Sequence, residues 1–222
     1  MAKLLVTPVG EAVFPYLRRP DNYQGDESYK VNIRVHPDND DVQAYITKME
    51  KFRDEQWDNN PQATKLSKAQ RAKLSAHPVV REELDAEGEP TGFVLIPVKC
   101  KKEYVDRETS KAVSLKPTVV DAKKQPIPDT IDVGPGSSIK AAFSPFFWVN
   151  PSIKAYGVTA RLKAVQVLEL KERGLGGVFD DEEGFEIDES AIHEPTDEDV
   201  RAAVMVGHES SYPNAAEETD DF

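Results

Sequence analysis

The stretch YGVTARLKAVQVLEL at 156–170 alternates apolar and polar side chains, with Val158, Ala160, Leu162, Ala164 and Val167 set among Thr159, Arg161, Lys163 and Gln166. Period-two patterning of this length specifies a β-strand with one buried and one solvated face, and the phase slip near residue 165 predicts a bulge. The same period returns elsewhere. SYKVNIRVHP (28–37) sets Tyr29, Val31, Ile33 and Val35 against Lys30, Asn32 and Arg34, and FVLIPVKCKKEYV (93–105) sets Val94, Ile96, Val98 and Cys100 against Leu95, Pro97, Lys99 and Lys101. IKAAFSPFFWV (139–149) reads as a further strand, and KLLVTPVGEAVF (3–14) as one bent at Pro8 and Gly10. AVSLKPTVVDA (112–122) follows the polar turn DRETSK and should form a hairpin with the strand before it. Five or six short strands must hide their edges, and a small barrel is the economical way to do so.

One segment breaks the period. From Asp40, Val42, Tyr45, Ile46, Met49 and Phe52 recur at helical spacing, which predicts an amphipathic helix capped by the aspartates at 38–41 and ending near NNP (59–61). LSKAQRAKLS (66–75) predicts a shorter helix, and HPVVREELDAEGEPTG (77–92) reads as irregular. RRPDNYQGD (18–26) and KKQPIPDTIDVGPGSS (123–138) read as turns. The insertion therefore spans about 38–90, as a helical lid or plug packed on a sheet, with a partner-reading helix as the alternative. After ERGLGG (172–177) the chain becomes an acidic linker and tail, in which Thr196, Asp199 and Gly207 mark the ends of a short helix.

The net charge of −12 hides an asymmetry. Residues 180–222 hold 16 Asp/Glu and one basic residue, so residues 1–179 carry 27 basic against 24 acidic side chains. Outside the stretch 38–89 that body holds 19 basic and 12 acidic residues. No run of apolar residues is long enough to span a membrane, and the N-terminus lacks a signal-peptide core. A single cysteine, Cys100, leaves no internal disulfide, and four scattered histidines offer no metal-ligand spacing. Catalytic motifs such as GxSxG, HExxH and a phosphate loop ending in GK[ST] are absent. GPGSS (134–138) reads as a turn, and DDEEGFEIDE (180–189) as a solvated charge run whose glycine is misplaced for a calcium loop. No catalytic residue, metal ligand or cofactor is assigned.

What remains is a set of cations and rings on strands. Lys30, Arg34, Lys99, Lys101, Arg161 and Lys163 fall at alternating positions, and Phe146, Phe147, Trp148, Tyr104 and Tyr156 are the candidate rings. A single nucleic-acid strand needs a basic groove for its phosphates and exposed ring faces for its bases. Alternation cannot bury Phe146, Phe147 and Trp148 on one side, so some point away from the core; packing under the helical insertion is the other destination for any of them. The tail, closing on Asp220, Asp221 and Phe222, is either a solubilising extension or a tethered ligand for a basic groove, its own or a partner's. An adaptor whose acidic tail binds partners and whose barrel is only a scaffold is the alternative to a nucleic-acid-binding protein.

Several pieces also occur in a recognisable order: the start MAK, the YKV of the second strand, Lys99-Cys100, and a turn rich in Lys, Glu and Thr. Val119-Val120-Asp121 before a lysine-rich turn, Val167-Leu168-Glu169-Leu170 and the final Asp220-Asp221-Phe222 complete it. In these the chain resembles the single-stranded DNA-binding proteins of T7-like phages. The resemblance implies an oligonucleotide/oligosaccharide-binding (OB) five-stranded barrel over 1–175, with the helical insertion, followed by a flexible, largely disordered acidic tail over 176–222. It implies no enzymatic activity, a role in phage DNA replication, recombination and repair, and the cytoplasm of an infected bacterial host. Implied partners are single-stranded DNA, the phage DNA polymerase and primase-helicase reached through the tail, and a second copy in a homodimer. By position, Lys3 matches a basic residue of the family, Lys99 and Lys101 fall on its basic strand, and Trp148 falls near a stacking tyrosine.

Overall fold

The computed structural model describes residues 4–106 and 109–171. Lys3, the helix expected over 196–207 and the acidic tail expected to be flexible over 176–222, with Asp220, Asp221 and Phe222, lie outside them.

The chain begins with β1 (Leu5–Val6), β2 (Gly10–Tyr23) and β3 (Asp26–Val35). The insertion follows as α1 (Asp40–Asn59), α2 (Pro61–Thr64), α3 (Lys68–Arg71), β4 (Ser75–Ala76) and β5 (Arg81–Leu84). Then come β6 (Pro90–Lys101), β7 (Glu103–Val105), β8 (Ala112–Ser114) and β9 (Thr118–Val120). The last strands are β10 (Ser138–Asn150) and β11 (Ala155–Glu169). In space β10 is followed by β2, β3, β6 and β11, and β11 pairs back onto β10, which closes the barrel. All these pairings are antiparallel except β6 with β11, which run parallel where Val98 meets Ala160 and Lys99 meets Arg161. The barrel strands, taken in chain order, are thus arranged first, second, third, fifth, fourth, the topology of the expected OB barrel with a helical insertion.

Alternation decides what goes inside. Tyr29, Val31, Ile33 and Val35 of β3 and Ile96, Val98 and Cys100 of β6 are buried, with Ile139, Ala141, Phe143, Ala160, Leu162, Val165 and Val167 from β10 and β11. The buried positions of β11 change phase between Leu162 and Val165, and the partner register jumps at the same place: Phe143 faces Leu162, but Ala142 faces Ala164. The predicted bulge is therefore real and its extra residue is Lys163. One end of the core is covered by α1, whose Val42, Tyr45 and Met49 are buried and whose Tyr45 ring meets Phe143 edge-on at 5.9 Å. Phe143 is fully enclosed, so truncating it to alanine costs about 3–5 kcal/mol.

Several segments differ from the sequence expectation. The α1 cap is Asn39 rather than an aspartate, its side chain accepting from the Asp41 N–H. Residues 18–23 are the second half of β2, not a turn; Phe14 at φ 49° and two register shifts bend the strand past Pro15 and Pro20. The supposedly irregular 77–92 contains β5, which pairs with β6. The predicted hairpin at DRETSK shrinks to β7 and β8, a separate two-stranded sheet, while β9 crosses to pair in parallel with β11. GPGSS is a turn tied down by the buried Ser137, whose hydroxyl donates to the Gly134 carbonyl at 2.8 Å and accepts from the Lys171 N–H at 2.9 Å.

Candidate nucleic-acid interface

Register brings three of the predicted cations into one row. Lys30 on β3 lies opposite Lys99 on β6, and Lys99 lies opposite Arg161 on β11. Adjacent strands stand about 4.7–4.9 Å apart, so the row crosses three strands in roughly 10 Å. Each residue alternates with buried neighbours, which turns all three outward. Lys101 and Lys163 repeat the arrangement two residues on, either side of buried Cys100 and Leu162. Lys99, Lys101 and Lys163 are exposed and have no ion-pair partner among the described residues. Burial pushes the Cys100 thiol up to about 11, while the nearby Lys163 charge pulls it back in part.

The rings divide as alternation requires. Phe147 is 3% exposed and faces the interior, so it offers no surface to a base and leaves the set of candidate stacking rings. Phe146 and Trp148 flank it on the outer face, opposite Thr159 and Gly157 of β11. The Arg161 guanidinium lies 3.3 Å from the centre of the Phe146 ring, and burial lowers its pKa from the ordinary arginine value. Trp148 lies across Gly157, where an added Cβ would sit 2.6 Å from the indole Cζ2; only glycine leaves that room. The His77 ring meets Trp148 edge-on at 5.5 Å, which fixes the indole from the insertion side.

Other predicted residues are occupied or elsewhere. Lys30 pairs with Asp21 and stands over the Tyr16 ring, so part of its charge is already neutralised. Arg34 lies 4.0 Å over Phe93 and pairs with Glu83 at 2.8 Å and Glu11 at 3.5 Å. The Nε approach to Glu83 is close but misaligned, an ion pair rather than a directed hydrogen bond. Arg34 is thus the weakest of the predicted cations. Tyr104 is 46% exposed on the separate β7–β8 sheet. Tyr156 turns away from Trp148 and stacks on Trp57 of α1, with centroids 3.9 Å apart and planes 9° from parallel.

Phe93, Trp57, Arg71 and His77 were not among the sequence candidates. Phe93 was within reach, because the alternation that exposes Leu95, Pro97, Lys99 and Lys101 places it on the same face. Trp57, Arg71 and His77 carry no such signal, since their position depends on how the insertion folds back onto β11.

A closed OB barrel with a row of cations and two rings on its outer face is the architecture of proteins that hold single nucleic-acid strands. The chain belongs to the bacteriophage T7 single-stranded DNA-binding protein family, whose family model matches residues 10–170. Among solved structures, the single-stranded DNA-binding protein encoded by bacteriophage T7 is 20% identical, with a TM-score of 0.59, covering 85% of this chain and 100% of its own. The single-stranded DNA-binding protein of bacteriophage Enc34, solved in complex with single-stranded DNA, is 14% identical, with a TM-score of 0.52, covering 76% of this chain and 88% of its own. No curated protein matches in sequence. Among the described residues no helix is long and apolar enough to cross a membrane.

Proposed function

We propose that the chain binds single-stranded DNA without sequence preference along the outer face of β3, β6, β11 and β10. The observation that carries this is the in-register row Lys30, Lys99 and Arg161, with Phe146 and Trp148 beside it. Phosphates are met by Lys99, Lys101, Arg161 and Lys163, and bases by Trp148 and by the Arg161–Phe146 pair, each stacked base being worth about 1–3 kcal/mol. Neither the cations nor the rings distinguish one base from another, which accounts for the absence of sequence preference.

The action is binding rather than catalysis, in keeping with the family. In this reading the chain protects single strands during phage DNA replication, recombination and repair in the cytoplasm of the infected host. Its tail, with 16 acidic residues and one basic over 180–222, recruits the phage DNA polymerase and primase-helicase through Asp220, Asp221 and Phe222. It also competes with DNA for the basic face, within one molecule or across a homodimer, because a tethered polyanion reaches a high local concentration. Titrating labelled oligothymidylate against the wild type and a Lys99→Ala, Lys101→Ala double variant tests the DNA reading. The double variant should bind markedly more weakly, and equal affinity would remove β6 from the interface.

A further inference from the structure

The helical insertion carries a cavity of about 580 Å³ lined by Trp57, Leu66, Lys68, Arg71, Leu74 and Tyr156. Its centre of organisation is a three-layer stack. Tyr156 covers one face of the Trp57 indole, and the Arg71 guanidinium, 4.5 Å from the ring centre, must cover the other. Arg71 is held there by its Nη2 donating to the Trp57 carbonyl at 3.0 Å and approaching Asp58 at 3.4 Å. A guanidinium stacked on one side still has a second face, and the Arg71 side chain is 31% exposed. Lys68 is exposed and has no ion-pair partner among the described residues.

The charge of this region supports an anionic ligand. Although the insertion is acidic overall, its stretch 59–81 holds Lys65, Lys68, Arg71, Lys73 and Arg81 and no Asp or Glu. The cavity also adjoins the outer face described above. The His77 N–H donates to the Tyr156 carbonyl at 2.7 Å and the Ser75 N–H to the Lys154 carbonyl at 3.0 Å, lacing the insertion to the start of β11. The next residue, Gly157, carries the Trp148 ring, and the His77 side chain stands on that ring's edge.

We infer that this cavity is a second subsite for nucleic acid, taking one nucleotide of a strand that has crossed the outer face past Trp148. The base extends the Tyr156–Trp57–Arg71 stack on the free face of the guanidinium, as bases do on arginine planes. Leu66 and Leu74 pack against the sugar and base, and Lys68 meets the phosphate. The inference rests on the single-strand reading of the outer face and adds a fixed exit for the strand over the insertion.

Oligothymidylates of increasing length, titrated against the wild type, Lys68→Ala and Arg71→Gln, test it. Short oligonucleotides that fill only the outer face should bind all three proteins alike. Beyond a threshold length the wild type should gain affinity that the variants lack by roughly tenfold. Lys68 is exposed, so its variant keeps the fold even where Arg71→Gln loosens the stack. The chain has two tryptophans, so in a Trp148→Phe background Trp57 is the only indole emitter, and its fluorescence should change with long but not short oligonucleotides. Variants that bind the longest oligonucleotide as tightly as the wild type, or an unmoved Trp57 emission, would overturn the subsite. So would a peptide ending in Asp-Asp-Phe that shifts Trp57 emission while no oligonucleotide does, because the occupant would then be an acidic peptide. A wild type that binds no oligonucleotide of any length would instead overturn the reading of the outer face itself.

Discussion

The guanidinium of Arg161 rests on the face of Phe146, 3.3 Å from the ring centre, although the two residues are not direct strand partners: Phe146 faces Thr159, and Arg161 faces Ser144. This diagonal contact makes a flat cationic plate on the outer face of the barrel. In the proposed complex Phe146 therefore acts on the strand largely through Arg161. Arg161→Gln should weaken oligonucleotide binding and reduce the slope of log K against log salt by about 0.7, the loss of one phosphate contact. Phe146→Leu should weaken binding with the slope almost unchanged, because the cation remains but its plane is no longer fixed. Equal slopes for wild type and Arg161→Gln would show that Arg161 meets no phosphate.

Trp148 depends on the absence of a side chain at Gly157. Trp148→Ala should lose about 1–3 kcal/mol of binding while the barrel stays folded. Gly157→Ala should lose a comparable amount, since its Cβ would stand 2.6 Å from the indole Cζ2 and displace the ring. Affinity measured alongside near-ultraviolet circular dichroism checks both, and unchanged affinity in Trp148→Ala would take the ring out of the interface.

The acidic tail should lower the affinity of the basic face for DNA. Deleting residues 209–222 is expected to tighten oligonucleotide binding, more so at low salt, where charge competition is strongest. Phe222→Ala should leave DNA affinity almost unchanged and weaken binding to the phage DNA polymerase or primase-helicase in a pull-down. Equal or weaker DNA binding by the truncated chain would rule out competition by the tail.

Stability rests in part on Arg18. Its side chain is 7% exposed and donates to the carbonyls of Ile127 at 2.7 Å, Pro128 at 2.9 Å and Ile131 at 3.2 Å, and to the Asp129 carboxylate at 2.9 Å. Lys116 bonds the same carboxylate, which with Arg18 holds it below the usual aspartate range. Arg18→Met should destabilise the fold by about 3 kcal/mol in chemical denaturation, because it leaves the carbonyls of Ile127, Pro128 and Ile131 without their donor, while Lys116 still bonds the Asp129 carboxylate. A loss below about 1 kcal/mol would mean that water replaces the guanidinium freely.

Strands with one dry and one wet face were legible in the sequence, because burial writes a period of two into β3, β6 and β11; even the bulge at Lys163 showed as a phase slip. Strands without that contrast were not. β5 is exposed along nearly all its length, so nothing periodic marks it, and the second half of β2 resembles a turn because Pro20, Asp21 and Asn22 suit either state. For the interface, the outward cations of β6 and β11 followed from alternation alone. The neutralisation of Lys30 by Asp21 and of Arg34 by Glu83 and Glu11 did not, since the carboxylates come from other strands. Trp57 was invisible for the same reason, its stacking partner Tyr156 lying some hundred residues further along the chain, and Arg71 reaches Trp57 only through the way the insertion folds back on itself.

In the proposed complex a row of cations spanning β3, β6 and β11 holds the phosphates of a single strand. The most direct test is the affinity for a long oligothymidylate measured across a range of salt concentrations, for the wild type and for a variant carrying Lys99→Gln, Lys101→Gln and Arg161→Gln. Log K for the wild type should fall linearly with log salt, and the triple variant should bind more weakly with a slope shallower by about 2. An affinity indifferent to salt, or the same slope in both proteins, would contradict the account.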